Sequence, residues 1–217
     1  MNALICGRGK SLEYYREMKD HKFDYVYLIN EFNQFIRDDP DLLTFLKNLS
    51  KESKIIQQVN IEVYGVDKFL VDNLRIDECH VARLSYKPNY RSPWRDYVDT
   101  KKFIRQGINL DVMPQPDIIE PYLDMDIVKG SLFVAMINAV VSKKCSHVTI
   151  VGLDFYEKDY FLSHKGADWH LVSVKKVQDT LKKSITDICK VFPGVKFNLH
   201  TFSSYKSECE NCFVNNL

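Results

Sequence analysis

The first apolar run of the chain leads into Gly7-Arg8-Gly9-Lys10-Ser11-Leu12. Glycines let a backbone turn sharply and approach a ligand, and Ser11 is a residue type that caps helices. N–H groups left free at a helix start, with Arg8 and Lys10 beside them, suit a phosphate. The segment is not a Walker A loop, which would need glycine where Leu4 stands. Nor is it a dinucleotide fingerprint, whose third glycine would replace Leu12. It reads either as a tight strand–helix turn or as a contact for a phosphate or nucleotide. Two asparagines, Asn30 and Asn60, follow later apolar runs, and each amide offers a donor and an acceptor. A third group follows the run that ends at Gly152. It holds Asp154, Tyr156, Glu157, Asp159 and Tyr160, then His164, Asp168 and His170. A histidine there can take a proton near neutral pH, and tyrosine hydroxyls can donate to a developing anion.

These residues need elements to hold them. Short strand-like runs fall at 3–6, 25–29, 54–59, 80–84, 148–152 and 195–199, with helix-like stretches at 12–18, 42–49 and 66–74 between the first four. Such alternation predicts βα units and a mostly parallel, Rossmann-like sheet flanked by helices. In such sheets ligands bind at the carboxyl ends of strands, where the glycine turn, both asparagines and the tyrosine–histidine loop all fall. A buried helix is expected over 132–141, which is apolar nearly all round apart from Asn138. An amphipathic helix is expected over 171–191, stopped by Pro193-Gly194. Between 85 and 126 lie five of the seven prolines, with Tyr86, Tyr90, Trp94 and Tyr97. That stretch reads as a loop-rich lid inserted in one domain spanning 1–217.

Composition narrows the function classes. Thirty Lys and Arg face 29 Asp and Glu, which argues against a nucleic-acid-coating surface. With 45% hydrophobic residues the chain can bury a sizeable core. No run approaches a membrane span, and the start carries no signal-peptide pattern, so a reducing cytoplasm is the expected compartment. Of six cysteines only Cys209 and Cys212 have metal-ligand spacing, and a single such pair is a weak metal signal.

The set resembles the bacterial sialyltransferases of glycosyltransferase family 42. The resemblance rests on 4–12, on 24–30, and most of all on the block from Gly130-Ser131-Leu132 through the long apolar helix to Gly152-Leu153-Asp154-Phe155-Tyr156. A histidine opening an amphipathic helix follows. It implies a nucleotide-binding domain of GT-A type without a metal-binding DxD and without a cofactor. The donor would be a sugar activated by cytidine monophosphate (CMP), and the acceptor a glycan. Asn30, Asn60 and Ser131 would hold the nucleotide, with Gly7, Arg8, Gly9 and Ser11 at the turn. Tyr156 and Tyr160 would donate to the departing phosphate, and His170 would be the general base of an inverting displacement. Oligomerisation and peripheral membrane association stay open. Two other readings share the sheet: a pterin pyrophosphokinase-like enzyme using magnesium and ATP, and a non-catalytic nucleotide-binding relative. Arg8, where the family has asparagine, motivates the second.

Overall fold

The computed structural model describes residues 1–30, 32–59, 68–81, 112–114, 130–158 and 174–217. Among them run eight strands, each parallel to its neighbours: β1 (Asn2–Cys6), β2 (Tyr25–Ile29), β3 (Lys54–Val59), β4 (Glu78–Val81), β5 (Val112–Pro114), β6 (His147–Val151), β7 (Lys196–Thr201) and β8 (Cys212–Asn216). Their order is β5-β4-β3-β2-β1-β6-β7-β8. The helices are a 3-10 helix (Lys10–Met18), α1 (Phe32–Asp38), α2 (Pro40–Leu49), α3 (Lys68–Asn73), α4 (Ser131–Val141) and α5 (Val174–Val191). This is the expected α/β, Rossmann-like architecture.

Strand alternation divides the apolar residues between two cores. Ala3, Ile5, Tyr27, Ile29, Ile56, Val148 and Ile150 pack under α4 and α5. Leu4, Cys6, Val26, Leu28 and Ile55 pack under the 3-10 helix and α1–α3. Both sheet faces are therefore covered, which is why the strands read as continuous apolar runs rather than alternating ones. The expected buried helix is α4, buried from Ser131 through Ala139. Its one large polar side chain is satisfied, because the Tyr27 hydroxyl donates to Asn138 Oδ1 at 2.6 Å.

Several elements differ from expectation. The first helix is 3-10 rather than α. Its buried apolar residues, Leu12, Tyr15 and Met18, recur every third position, the repeat on which a 3-10 helix stacks side chains. β4 starts at Glu78 instead of 80, and 82–84 lie outside the described residues. Gly152 leaves β6 because its φ of +74° ends the extended conformation. The helix α1 and the edge strands β5 and β8 were not expected. β5 falls inside 85–126 and ends on Pro114, tolerable at a sheet edge where no neighbour needs its N–H. The rest of that stretch lies outside the described residues. No described helix is long and apolar enough to cross a membrane.

Candidate functional site

In the strand order, successive strands run one way from β1 to β5 and the other way from β6 to β8, so the order reverses between β1 and β6. A parallel sheet opens a crevice at that point, beyond the strands' carboxyl ends. A cavity of about 140 Å³ lies there, and Gly7, Arg8, Gly9, Asn30, Ser131 and Tyr156 line it. Six of the residues singled out in the sequence thus meet, from four different elements. A larger cleft of about 640 Å³ lies between the 3-10 helix and α2. It sits by the residues that precede β2 and β3, and its Lys22 is paired with Glu52 at 3.4 Å, so topology favours the smaller cavity.

The loops after β1 and β6 are locked together. Gly7 N–H donates to the Val151 carbonyl and Gly9 N–H to the Gly152 carbonyl, each at 2.8 Å. A Cβ on Gly7 would lie 2.9 Å from the Gly152 carbonyl carbon and closer still to its oxygen. The glycine is therefore needed for the backbone of the other loop, not for the approach of a ligand alone. Ser11 likewise serves the other loop. It does not cap its helix, whose N-cap is Gly9, and it is fully buried. Its hydroxyl accepts the Gly152 N–H at 3.0 Å, and its own N–H donates to Asp154 Oδ2 at 2.8 Å. The Leu12 N–H is also engaged, by the Gly9 carbonyl at 3.0 Å. So the expectation of free amides at this helix start fails at Gly7, Gly9, Ser11 and Leu12. Lys10 is not on the cavity wall; it faces Glu13 at 3.7 Å.

Asp154 is the residue that sequence reasoning undervalued. It is 3% exposed. Besides the Ser11 amide, it accepts the Phe202 N–H at 2.9 Å and the Thr201 hydroxyl at 3.1 Å through Oδ1. One carboxylate thereby ties together the ends of β1, β6 and β7. The Gly152-Leu153-Asp154 strand end was visible in the sequence. Ser11 was singled out for another role, and Thr201 carried no signal.

The opposite wall comes from β2 and α4. Asn30 sits at φ 56°, a left-handed conformation that asparagine tolerates better than most residues. Its N–H donates to the Gln58 carbonyl, its carbonyl accepts from Gln57, and its Oδ1 accepts the Ser131 hydroxyl at 2.8 Å. Ser131 opens α4, an 11-residue helix without a side-chain cap, so the helix's positive end faces the cavity. The family resemblance placed these two residues in one role, and they bond each other.

Tyr156 stands on a strained turn. Phe155 and Tyr156 have φ of 50° and 57°, each costing on the order of 1–3 kcal/mol. The surroundings impose this shape. Phe155 is buried with its ring 4.9 Å from Tyr205, and Gln178 of α5 donates to the Tyr156 carbonyl at 3.2 Å. Glu157 accepts from Lys182 at 2.5 Å and from the Ser204 N–H at 2.7 Å. Burial alone would raise the Glu157 pKa, but the bonds from Lys182 and Ser204 outweigh it and hold the carboxyl below its usual range. With its backbone held, the Tyr156 side chain stays 37% exposed on the cavity wall. Lys158, not foreseen from the sequence, lines the cavity as well. Asn60, Tyr160 and His170 lie outside the described residues.

No family model matches the chain, and no curated protein matches it. A solved structure does: the sialyltransferase CST-II in complex with a trisaccharide acceptor and CMP. It is 17% identical and covers 92% of this chain and 80% of that one, with a TM-score of 0.53. At that identity the likeness establishes a shared α/β, Rossmann-like fold.

Proposed function

We propose that the protein is a glycosyltransferase that moves a nonulosonic acid, such as sialic acid, from a CMP-activated donor to a glycan hydroxyl. The observation that carries this reading is the convergence of Gly7, Arg8, Gly9, Asn30, Ser131 and Tyr156 on one cavity at the sheet's reversal point. The fold shared with a sialyltransferase bound to CMP supports it.

In this reading Asn30 and Ser131, already bonded to each other, hold the nucleotide at the start of α4. The acceptor hydroxyl attacks the anomeric carbon as the bond to the phosphate oxygen breaks, inverting the centre. The proton passes from the hydroxyl to His170, and the bonding pair leaves with CMP. Tyr156, joined by Tyr160, donates to the phosphate oxygens as their charge grows, so no metal is called on for that step. Asn60 completes the nucleotide contacts.

Donor hydrolysis is the direct test, because water can replace an unknown acceptor. CMP-sugars incubated with the protein should release CMP. His170→Ala should cost about 10²–10⁴-fold in turnover, the usual scale for losing a general base, with CMP affinity largely kept. No calorimetric binding of CMP or cytidine would overturn the reading. Magnesium-dependent affinity for ATP in their place would favour the pyrophosphokinase alternative.

A further inference from the structure

A nucleotide phosphate entering this cavity brings at least one negative charge, and the turn after β1 has few amides left to meet it. Gly7, Gly9, Ser11 and Leu12 N–H groups all donate within the protein at 2.8–3.0 Å. Asp154 also lines the cavity, but it is buried and both its oxygens accept hydrogen bonds from within the protein. The charged side chains that line the cavity with Asp154 are Arg8 and Lys158. Arg8 is already engaged within the protein. Lys158 is exposed, and among the described residues its ammonium has no ion pair or hydrogen bond. It follows the clamped turn by two positions, and Glu157 between them is neutralised by Lys182. A positively charged side chain is thus carried on an anchored backbone, at the edge of a cavity whose far wall is the positive end of α4.

We propose that Lys158 is the cation that neutralises the phosphate of the bound nucleotide, taking over the task that backbone amides perform in open glycine turns. This rests on the CMP-sugar reading and adds to it the residue that makes the site select a nucleotide over a nucleoside. Lysine suits the task as a compact point charge on a flexible stem, able to follow a phosphate as its bond to the sugar breaks.

Calorimetric titration with CMP and with cytidine, on the wild type, Lys158→Ala and Lys158→Arg, tests it. Lys158→Ala should weaken CMP about tenfold, the scale of one lost charged hydrogen bond, and leave cytidine unchanged. Lys158→Arg should keep most of the CMP affinity. Added salt should narrow the CMP–cytidine gap in the wild type more than in Lys158→Ala. Equal CMP affinity for wild type and Lys158→Ala, with both preferring CMP to cytidine, would overturn the inference and leave the reading standing. So would a wild type that binds CMP and cytidine equally. A wild type that binds neither would overturn both. The unchanged cytidine affinity shows that the variant remains folded.

Discussion

Removing the Asp154 carboxylate should cost more than any exposed change, and the size of the loss can be worked out from its partners. In Asp154→Ala the N–H groups of Ser11 and Phe202 lose their acceptor, while the Thr201 hydroxyl still donates to the Leu153 carbonyl at 2.8 Å. A buried donor left unpaired costs about 1–3 kcal/mol, which applies in full to the Ser11 amide; the half-buried Phe202 amide adds about 1 kcal/mol, for about 2–4 kcal/mol in all. Asp154→Asn keeps one acceptor oxygen and turns an NH₂ toward the other amide, so about half that loss remains. Gly9 supplies a second handle. A Cβ there would lie 2.5 Å from Asp154 Oδ2 and 2.9 Å from the Gly152 oxygen. Gly9→Ala is therefore costly alone and less so once Asp154 is alanine. The two losses should fall short of additivity by at least about 0.5 kcal/mol, the sign of a shared contact. Urea unfolding of the wild type, both single variants and the double variant measures this, with Asp154→Asn alongside. The reasoning is refuted if Asp154→Ala costs under about 0.5 kcal/mol, the range of ordinary surface changes, or if the two losses simply add.

Three further outcomes are expected. Gly152→Ala should lose about 2–5 kcal/mol in thermal unfolding, since a left-handed φ costs about 1–2 and overpacking against Gly7 about 1–3. Tyr27→Phe, which leaves Asn138 Oδ1 without its buried donor, should lose about 1–3 kcal/mol by chemical denaturation with the fold intact. Burial lowers the pKa of His80 from 6.5, against the pull of Glu78, and burial with His21 lowers that of His200. Groups lowered on folding stabilise fully above their unfolded values, so unfolding free energy should begin to fall as pH drops below 6.5. A second fall should follow below 4.5, where Glu78 loses its bonds to Lys143 and His80, which outweigh burial in lowering its pKa. Urea midpoints across this range check the shape. Replacing His80 and His200 with glutamine should flatten the first fall, and a stability that rises on acidification would contradict the assignment.

Much of the fold was legible because it is written locally. Runs such as 25–29 and 148–152 are apolar on both faces, the mark of a strand buried on both sides. The residues just past them had to fall at the carboxyl edge of a parallel sheet. That places the glycine turn, Asn30 and Tyr156 at one edge from the sequence alone. The edge strand β8 escaped because an edge needs little apolar surface: Phe213 is 49% exposed and the strand ends in two asparagines. The 3-10 helix could have been foreseen, since Leu12, Tyr15 and Met18 already show its repeat.

The sequence by itself determined which residue types reach the end of each strand, because period and turn chemistry depend on near neighbours. The tertiary structure decided what those residues do there. Pairing β1 with β6 brings Gly7 against Gly152 and Ser11 against Asp154 across more than 140 positions, and this makes the glycine turn a brace between two loops. No local pattern records such a contact, because it follows from the strand order and from the space that two backbones leave between them. The same packing engages the amides of the turn and leaves Lys158 at the cavity wall.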